Sequence, residues 1–228
     1  MHIPDGYLGP PTCAAAFAVM IPVWTFAVKK AGKTLNARQV PLLAVGAAFS
    51  FVIMMFNVPL PGGTTGHAVG GAILAILLGP WAACIALTTA LVIQALLFGD
   101  GGITALGANC FNMAFVIPFA GHYTYRIFSG GPDAGTMRRV ISAGAAGYIA
   151  INAAALCAGV ELGLQPLFHH TTSGQPLYCP YGLGAAVPAM VFGHLAVFGW
   201  IEAVVTALVF SYIWKQMPEL INKGGADK

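Results

Sequence analysis

An all-α integral membrane protein of seven transmembrane helices is the fold class that this 228-residue sequence predicts, and three observations predict it. Hydrophobic residues make up 58% of the chain and charged residues 7%, with a mean hydropathy of +0.80. A water-facing domain carries about 25% charged residues, so this chain cannot cover a soluble surface. Its apolar runs are long and continuous instead of alternating, which selects helices over a barrel. Its ten basic residues fall into three groups, and their placement sets the number of crossings.

The elements follow in chain order. Spans are expected near 12–28, 40–57, 67–79, 80–98, 103–128, 139–163 and 185–214, making residues 1–228 a single membrane domain with a distinct N-terminal segment, 1–11. The first eleven residues contain three prolines and no basic stretch, unlike a secretory signal, so residue 1 is expected to be the mature terminus. The 67–98 stretch reads either as one kinked helix or as two short ones meeting at Gly79-Pro80. Charge decides between them. Lys29, Lys30, Lys33 and Arg38 form the first basic group, Arg126, Arg138 and Arg139 the second, and Lys215, Lys223 and Lys228 the third. With a hairpin at Gly79-Pro80 all three groups face the cytoplasm, as basic residues beside spans do. The N-terminus is then outside and the C-terminus inside. The outer segments 1–11, 58–66, 99–102 and 164–184 contain no Lys or Arg, but do contain His2, Asp5, Asp100, His169 and His170, with His67 at the mouth of the third span. An outer face with imidazoles and carboxylates but no cations suits a cationic ligand.

Several classes are disfavoured. A net charge of +3 is too small to suggest nucleic acid. No internal repeat marks an inverted-repeat transporter, no GxxxxGK[ST] loop or cytoplasmic domain marks an ATPase, and no HExxH or paired acid–base motif marks a membrane enzyme. Cys13, Cys84, Cys110, Cys157 and Cys179 show no CxxC spacing and read as small hydrophobes.

The opening MHIPDG carries chemistry. A free α-amine, the His2 amide nitrogen and His2 Nδ1 can chelate one ion through a five-membered and a six-membered ring, placing three nitrogens in a plane. Square-planar nitrogen coordination suits Ni(II) and Cu(II), whereas Zn(II) prefers a tetrahedron. Pro4 has no amide hydrogen and holds Ile3 extended. The following IPDGYLGPP consists of turn-forming and apolar residues suited to packing. His67, in PGGTTGHAVGG, is the best fourth donor, because glycine-rich backbone at membrane depth is tolerated only beside protein or a cavity. Met1, His2 and His67 are therefore the candidate metal residues. His169 and His170 are adjacent, so on extended chain they point apart and joint chelation is disfavoured. His122 is placed at the cytoplasmic interface. His194 and Glu202 share one helix face, Glu202 reads as a hydrogen-bond partner, and Glu161 is expected to pair internally. Asn109 and Asn112 are expected to bond across helices or to orient a ligand.

MHIPDGYL, PGGTTGHAVGG, FGDGGITALGANCFNMA and GHLAVFGWIEAVVTA together resemble the nickel/cobalt-specific substrate-binding membrane component of energy-coupling-factor transporters. The likeness covers nearly the whole chain, and MHIPDG is its most specific part. The resemblance implies that the N-terminus is inserted into the bundle and that Met1, His2 and His67 bind Ni(II) or Co(II) as the transported substrate. It implies a transmembrane coupling subunit, two ATPase subunits and a small accessory membrane protein as partners, in the cell membrane of a prokaryote. It also implies docking on the coupling subunit through small residues of an early helix, for which Ala14 and Ala18 are candidates, the alternative being a contact between the chain's own helices. The 168–182 loop is richer in potential ligands than the family pattern. A divalent cation channel or ATP-independent permease is the competing function, since an anionic vestibule also suits a pore.

Overall fold

The computed structural model describes residues 1–35, 39–60, 64–131 and 134–223. Four helices are long and apolar enough to cross a bilayer, Pro10–Thr34, Pro80–Phe98, Thr136–Phe168 and Leu183–Gln216, and Gln39–Met54 is a shorter apolar helix. In chain order the elements are α1 (Pro10–Thr34), α2 (Gln39–Met54), β1 (Val58–Leu60), β2 (Thr64–Gly66), α3 (Gly71–Leu78), α4 (Pro80–Ile93), α5 (Leu106–Asn109), α6 (Ile117–Phe128), α7 (Thr136–Gly163), α8 (Gln165–Phe168), α9 (Leu183–Gly193), α10 (Gly199–Gln216) and α11 (Pro218–Lys223). Pro10 and Pro11 start α1, where a missing amide hydrogen costs nothing.

Helix α7 is the central element, packing against α6, α9 and α10. Its buried face is built largely of Ala and Gly, including Ala143, Ala146, Gly147, Ala150, Ala154 and Ala158, and small residues let helix backbones approach where lipid offers no hydrophobic drive to associate. Large apolar side chains such as Phe26, Ile127, Phe192 and Leu208 point outward and are exposed, as a lipid-facing surface requires.

The chain breaks at Gly79, whose φ of +82° suits glycine, and Pro80 starts α4. The two helices pack against each other, so the expected split of the 67–98 stretch is present. In the stretch near 67–79 the helix α3 begins at Gly71, and all eight of its residues are buried. Residues 67–70 remain non-helical because the Val69 and Gly70 amides donate to the Glu202 carboxylate of α10. A second departure from an all-α reading is the antiparallel hairpin of β1 and β2, which pairs backbone that would otherwise lie unbonded beside the bundle.

Three helices contain π-helical turns, at Gln94–Phe98, Cys110–Val116 and His194–Phe198. Each contains a fully buried polar side chain, Gln94, Asn112 and His194 respectively. The segments that carry the described basic residues meet at one end of the bundle, in one apolar cluster. Arg138 Nε donates to Phe128 O at the end of α6, and the Arg139 guanidinium lies 5.0 Å from the Trp214 ring of α10. One apolar cluster there joins Ala31, Tyr125, Ala143 and Ile213. Arg38 and Lys228 lie outside the described residues.

Ala14 and Ala18 are both exposed on α1, so they do not form a contact between the chain's own helices. Gly107 of α5 is the opposite case, because a Cβ there would lie 2.8 Å from Phe17 N and 3.0 Å from Ala16 C of α1. Gly107→Val is expected to destabilise the protein by about 1–3 kcal/mol through overpacking, read as a lowered thermal midpoint in detergent. Gly184→Ala, where an added Cβ meets nothing within 4 Å, is the control and should leave the midpoint unchanged.

Candidate metal site

Residues 1–9 form a strap that folds back into the bundle. Met1 and Ile3 have no exposed surface and His2 is 4% exposed. Asn109 pairs with Ile3 as a neighbouring strand would: Ile3 N donates to its Oδ1 at 2.8 Å and its Nδ2 donates to Ile3 O at 3.0 Å. Gly102 N adds a second bond to the same carbonyl at 2.9 Å. The Asp5 carboxylate accepts from Ile103 N at 3.1 Å, from Thr104 N at 2.8 Å and from the Thr104 hydroxyl. Those bonds, the hydroxyl above all, hold its carboxyl below the ordinary 3.8. Further along, Cys179 N donates to Tyr7 O at 3.1 Å and Gly9 N donates to Gln165 Oε1 at 2.9 Å. The turn at Gly6 (φ +84°) lets the strap leave the bundle before α1.

The Met1 amine donates to Thr65 O and lies 3.3 Å from Thr65 Oγ1. Burial pushes it down from 8.0 to about 4, against the raising effect of Asp100, so it is uncharged at neutral pH. Burial likewise lowers His2 from 6.5 to about 3. His2 Nε2 lies 3.2 Å from Gln94 Oε1, and Gln94 Nε2 donates to Phe51 O at 3.3 Å. An amide oxygen only accepts, so the His2 proton is assigned to Nε2 and Nδ1 keeps a lone pair. That Nδ1 is buried without a hydrogen-bond partner, with Asp100 Oδ1 at 3.5 Å. His67 shows the complementary arrangement. Its Nδ1 lies 3.0 Å from Ala68 O, which assigns the proton there, and its Nε2 is buried and unpartnered. The two imidazoles stack with ring centroids 4.7 Å apart and planes 26° apart.

The structure thus brings Met1, His2 and His67 together. Buried polar atoms are ordinarily bonded, and a ring nitrogen freed while its partner nitrogen bonds a carbonyl or amide is the pattern of an oriented ligand. Glu202 fixes the loop that carries His67, with Oε2 at 2.7 Å from Val69 N and Oε1 at 3.0 Å from Gly70 N. Among the described residues no three His, Cys, Asp or Glu side chains converge as metal ligands, so side chains alone do not make the site.

The other candidates are placed elsewhere. His194 is buried, with Nδ1 2.7 Å from Met190 O and Nε2 unpartnered. His169 Nε2 lies 3.2 Å from Thr12 Oγ1, whereas His170 is exposed and bridges to Pro176. The pair points apart, and the 168–182 loop clasps the strap through Cys179. His122 is partly buried on α6, with Nδ1 3.2 Å from Ala75 O. Asn112 Nδ2 donates to Glu161 Oε2 at 2.7 Å, the internal pairing expected of that acid. All five cysteines are free. Thr65, Gln94 and Gln165 escaped the sequence reading. Gln94 left a signal, as an amide inside the apolar run LTTALVIQALLFG; Thr65 and Gln165 left none.

Fold and site together define a multi-helix membrane protein whose own N-terminus lies among buried nitrogen donors. The chain belongs to the CbiM family, described as the cobalt uptake substrate-specific transmembrane region, whose sequence profile matches residues 2–220. It is 55% identical over 221 residues to a fused nickel transport protein of Rhodobacter capsulatus, covering 97% of this chain and 64% of that protein. It is 53% identical over 220 residues to a probable fused nickel transport protein of Lactiplantibacillus plantarum, covering 96% and 66%. The chain therefore spans just under two thirds of these fused relatives. With a putative metal transport protein of Methanocaldococcus jannaschii it shares 51% identity over 223 residues, covering 97% and 95%. The crystal structure of a transition metal transporter superposes with a TM-score of 0.89 at 55% identity, covering 97% of each chain. That of a truncated transition metal transporter gives 0.89 at 57%, covering 94% and 99%.

The Asp5 clamp makes a prediction with a definite sign. A carboxyl whose folded value is lowered contributes stability in full above its ordinary value and loses it as pH falls through the lowered one. Asp5→Asn is expected to lower the metal-free thermal midpoint by an amount that is constant from neutral to mildly acidic pH and shrinks only in stronger acid. A difference that has vanished by mild acid would show that Ile103 and Thr104 do not hold the charge.

Proposed function

We propose that the protein is the substrate-specific component that captures Ni(II) or Co(II) for an ATP-driven energy-coupling-factor importer. In this reading the ligands are the Met1 amine, the His2 amide nitrogen, His2 Nδ1 and His67 Nε2. The observation that carries it is the pair of buried, unpartnered ring nitrogens on His2 and His67, stacked together beside the buried Met1 terminus. A planar set of four nitrogens favours Ni(II) over Zn(II). The nickel transport names of the fused relatives support the same metal, and the cobalt uptake description of the family supports Co(II). Burial of every donor residue favours capture over an open channel.

Seven spans, an outer N-terminus and a cytoplasmic C-terminus fit the basic segments that meet at one end of the bundle, and the bacterial and archaeal relatives fit a prokaryotic cell membrane. ATP hydrolysis is assigned to two separate ATPase subunits, reached through a transmembrane coupling subunit. Exposed Ala14 and Ala18 supply a small-residue face on which that subunit can dock. A small accessory membrane protein fits the extra length of the fused relatives.

The test is equilibrium nickel binding to preparations matched except at the termini, with the first residue verified by mass spectrometry. Residues added before Met1 convert the amine to an amide and are expected to abolish tight binding, while the same residues after Lys228 leave it unchanged. Equal affinity in the two preparations would remove the amine from the ligand set. His67→Ala is expected to weaken binding beyond the roughly 10–100-fold that loss of an outer-shell partner costs, with the protein still inserted and monodisperse. Full-strength binding by that variant would remove His67 from the set.

A further inference from the structure

Asp100 stands between solvent and the His2 ring. Its side chain is 19% exposed and that of His2 is 3% exposed, so the pair straddles the boundary of the buried site. Asp100 N donates to Gln94 O at 3.1 Å, so the segment that holds His2 Nε2 through the Gln94 side chain also sets Asp100 opposite Nδ1. Asn57 Nδ2 pins Oδ2 at 2.9 Å, and Oδ1 is left 3.5 Å from His2 Nδ1.

This contact is not a hydrogen bond, because with the ring proton on Nε2 neither facing atom carries a hydrogen. Two lone pairs therefore face each other across 3.5 Å, an arrangement that a cation resolves. Two donors at about 2.0–2.1 Å from one ion lie about 2.9 Å apart at a right angle and about 3.4 Å apart at a tetrahedral one, so a small approach of Oδ1 to Nδ1 lets one ion bridge them. The acid of the strap itself is spent: Asp5 accepts from Ile103 and Thr104.

We propose that Asp100 Oδ1 and His2 Nδ1 form an outer two-donor station that a divalent cation occupies before the Met1 amine and His67 complete its coordination. The inference rests on the capture function proposed above and adds the route of loading. A hydrated cation meets a carboxylate first, exchanges water for Oδ1, and is already one bond from the ring nitrogen that becomes its permanent ligand. The exchange on the ion is then carboxylate oxygen out and terminal nitrogens in, with Asp100 left nearby as its countercharge. Because the carboxylate acts before the nitrogens close, its effect falls on the association rate.

Stopped-flow nickel binding to the full chain, with a free N-terminus and at several salt concentrations, tests this. Asp100→Asn keeps the shape and an oxygen for Asn57. It is expected to slow association at least about tenfold, the lower end of electrostatic steering, to flatten the salt dependence, and to change dissociation by less than about twofold. Asp100→Glu, which restores the charge, should recover part of the rate and the salt dependence. An unchanged association rate in Asp100→Asn overturns the station, as does a variant that only dissociates faster, which would make Asp100 a positioner of His2. If Asp100→Asn does not fold, Asp100→Glu and the wild type decide: association that ignores salt in both also overturns it. Wild type that binds no nickel defeats the capture function itself and is distinguishable from failure of Asp100 alone.

Discussion

Taking a charged chain terminus into an apolar bundle is the constraint on which the rest of the structure depends. An isolated ammonium is costly to desolvate, and the usual outcome is loss of its proton. The Met1 amine follows this rule, brought to about 4 by burial and hydrogen-bonded to Thr65. Uncharged, it carries a lone pair that an exposed terminus at neutral pH largely lacks. The same burial therefore gives the terminus the lone pair that the proposed ligand set requires of it. Burial has a second cost, because the strap brings backbone donors and acceptors with it and these need partners. Asn109 on Ile3, Cys179 on Tyr7 and Gln165 on Gly9 supply them.

Three helices of the bundle depart from regular geometry. Gln94, Asn112 and His194 each fall in a π-helical turn. One extra residue in a turn rotates the following helix and re-aims side chains without ending it, and such turns concentrate at functional sites. Gln94 shows the use directly, reaching His2 Nε2 while its other amide atom holds Phe51 O. A regular α-helix there would point the same side chain elsewhere.

Much of this was legible in the sequence, for reasons that also mark its limits. Long apolar runs and clustered Lys and Arg located the helical segments, and Gly79-Pro80 located the break, because both signals are local. The packing of MHIPDGYL was legible from its turn and apolar residues, and the coming together of Met1, His2 and His67 from the donors that a free terminus and a glycine-rich loop offer. The start of α3 was not legible, since Glu202 lies more than a hundred residues from the amides it binds and periodicity carries no trace of it. The π-helical turns were hidden because they leave the apolar run unbroken. Thr65 was missed because its contribution to the Met1 amine is chiefly a backbone carbonyl, and a carbonyl has no residue identity to read.

Glu202 connects the site to the frame around it. Its carboxylate sits on α10, is fully buried, and accepts from the amides of the two residues that precede α3, beside a helix start that leaves backbone donors unsatisfied. His67 precedes those amides by two and three residues, and its Nδ1 is tied to Ala68 O within the same loop. The direction of its free Nε2 is therefore set by α10 as much as by its own segment. His2 is fixed independently, by Gln94 in its π-helical turn and by Asn109 through the neighbouring Ile3. Two imidazoles held from different helices can stack at 4.7 Å only while those helices keep their relative positions. The proposed ligand set, divided in this way, would make affinity a report on helix packing: a small shift of α10 against α4 would part the donors without breaking any bond within either group.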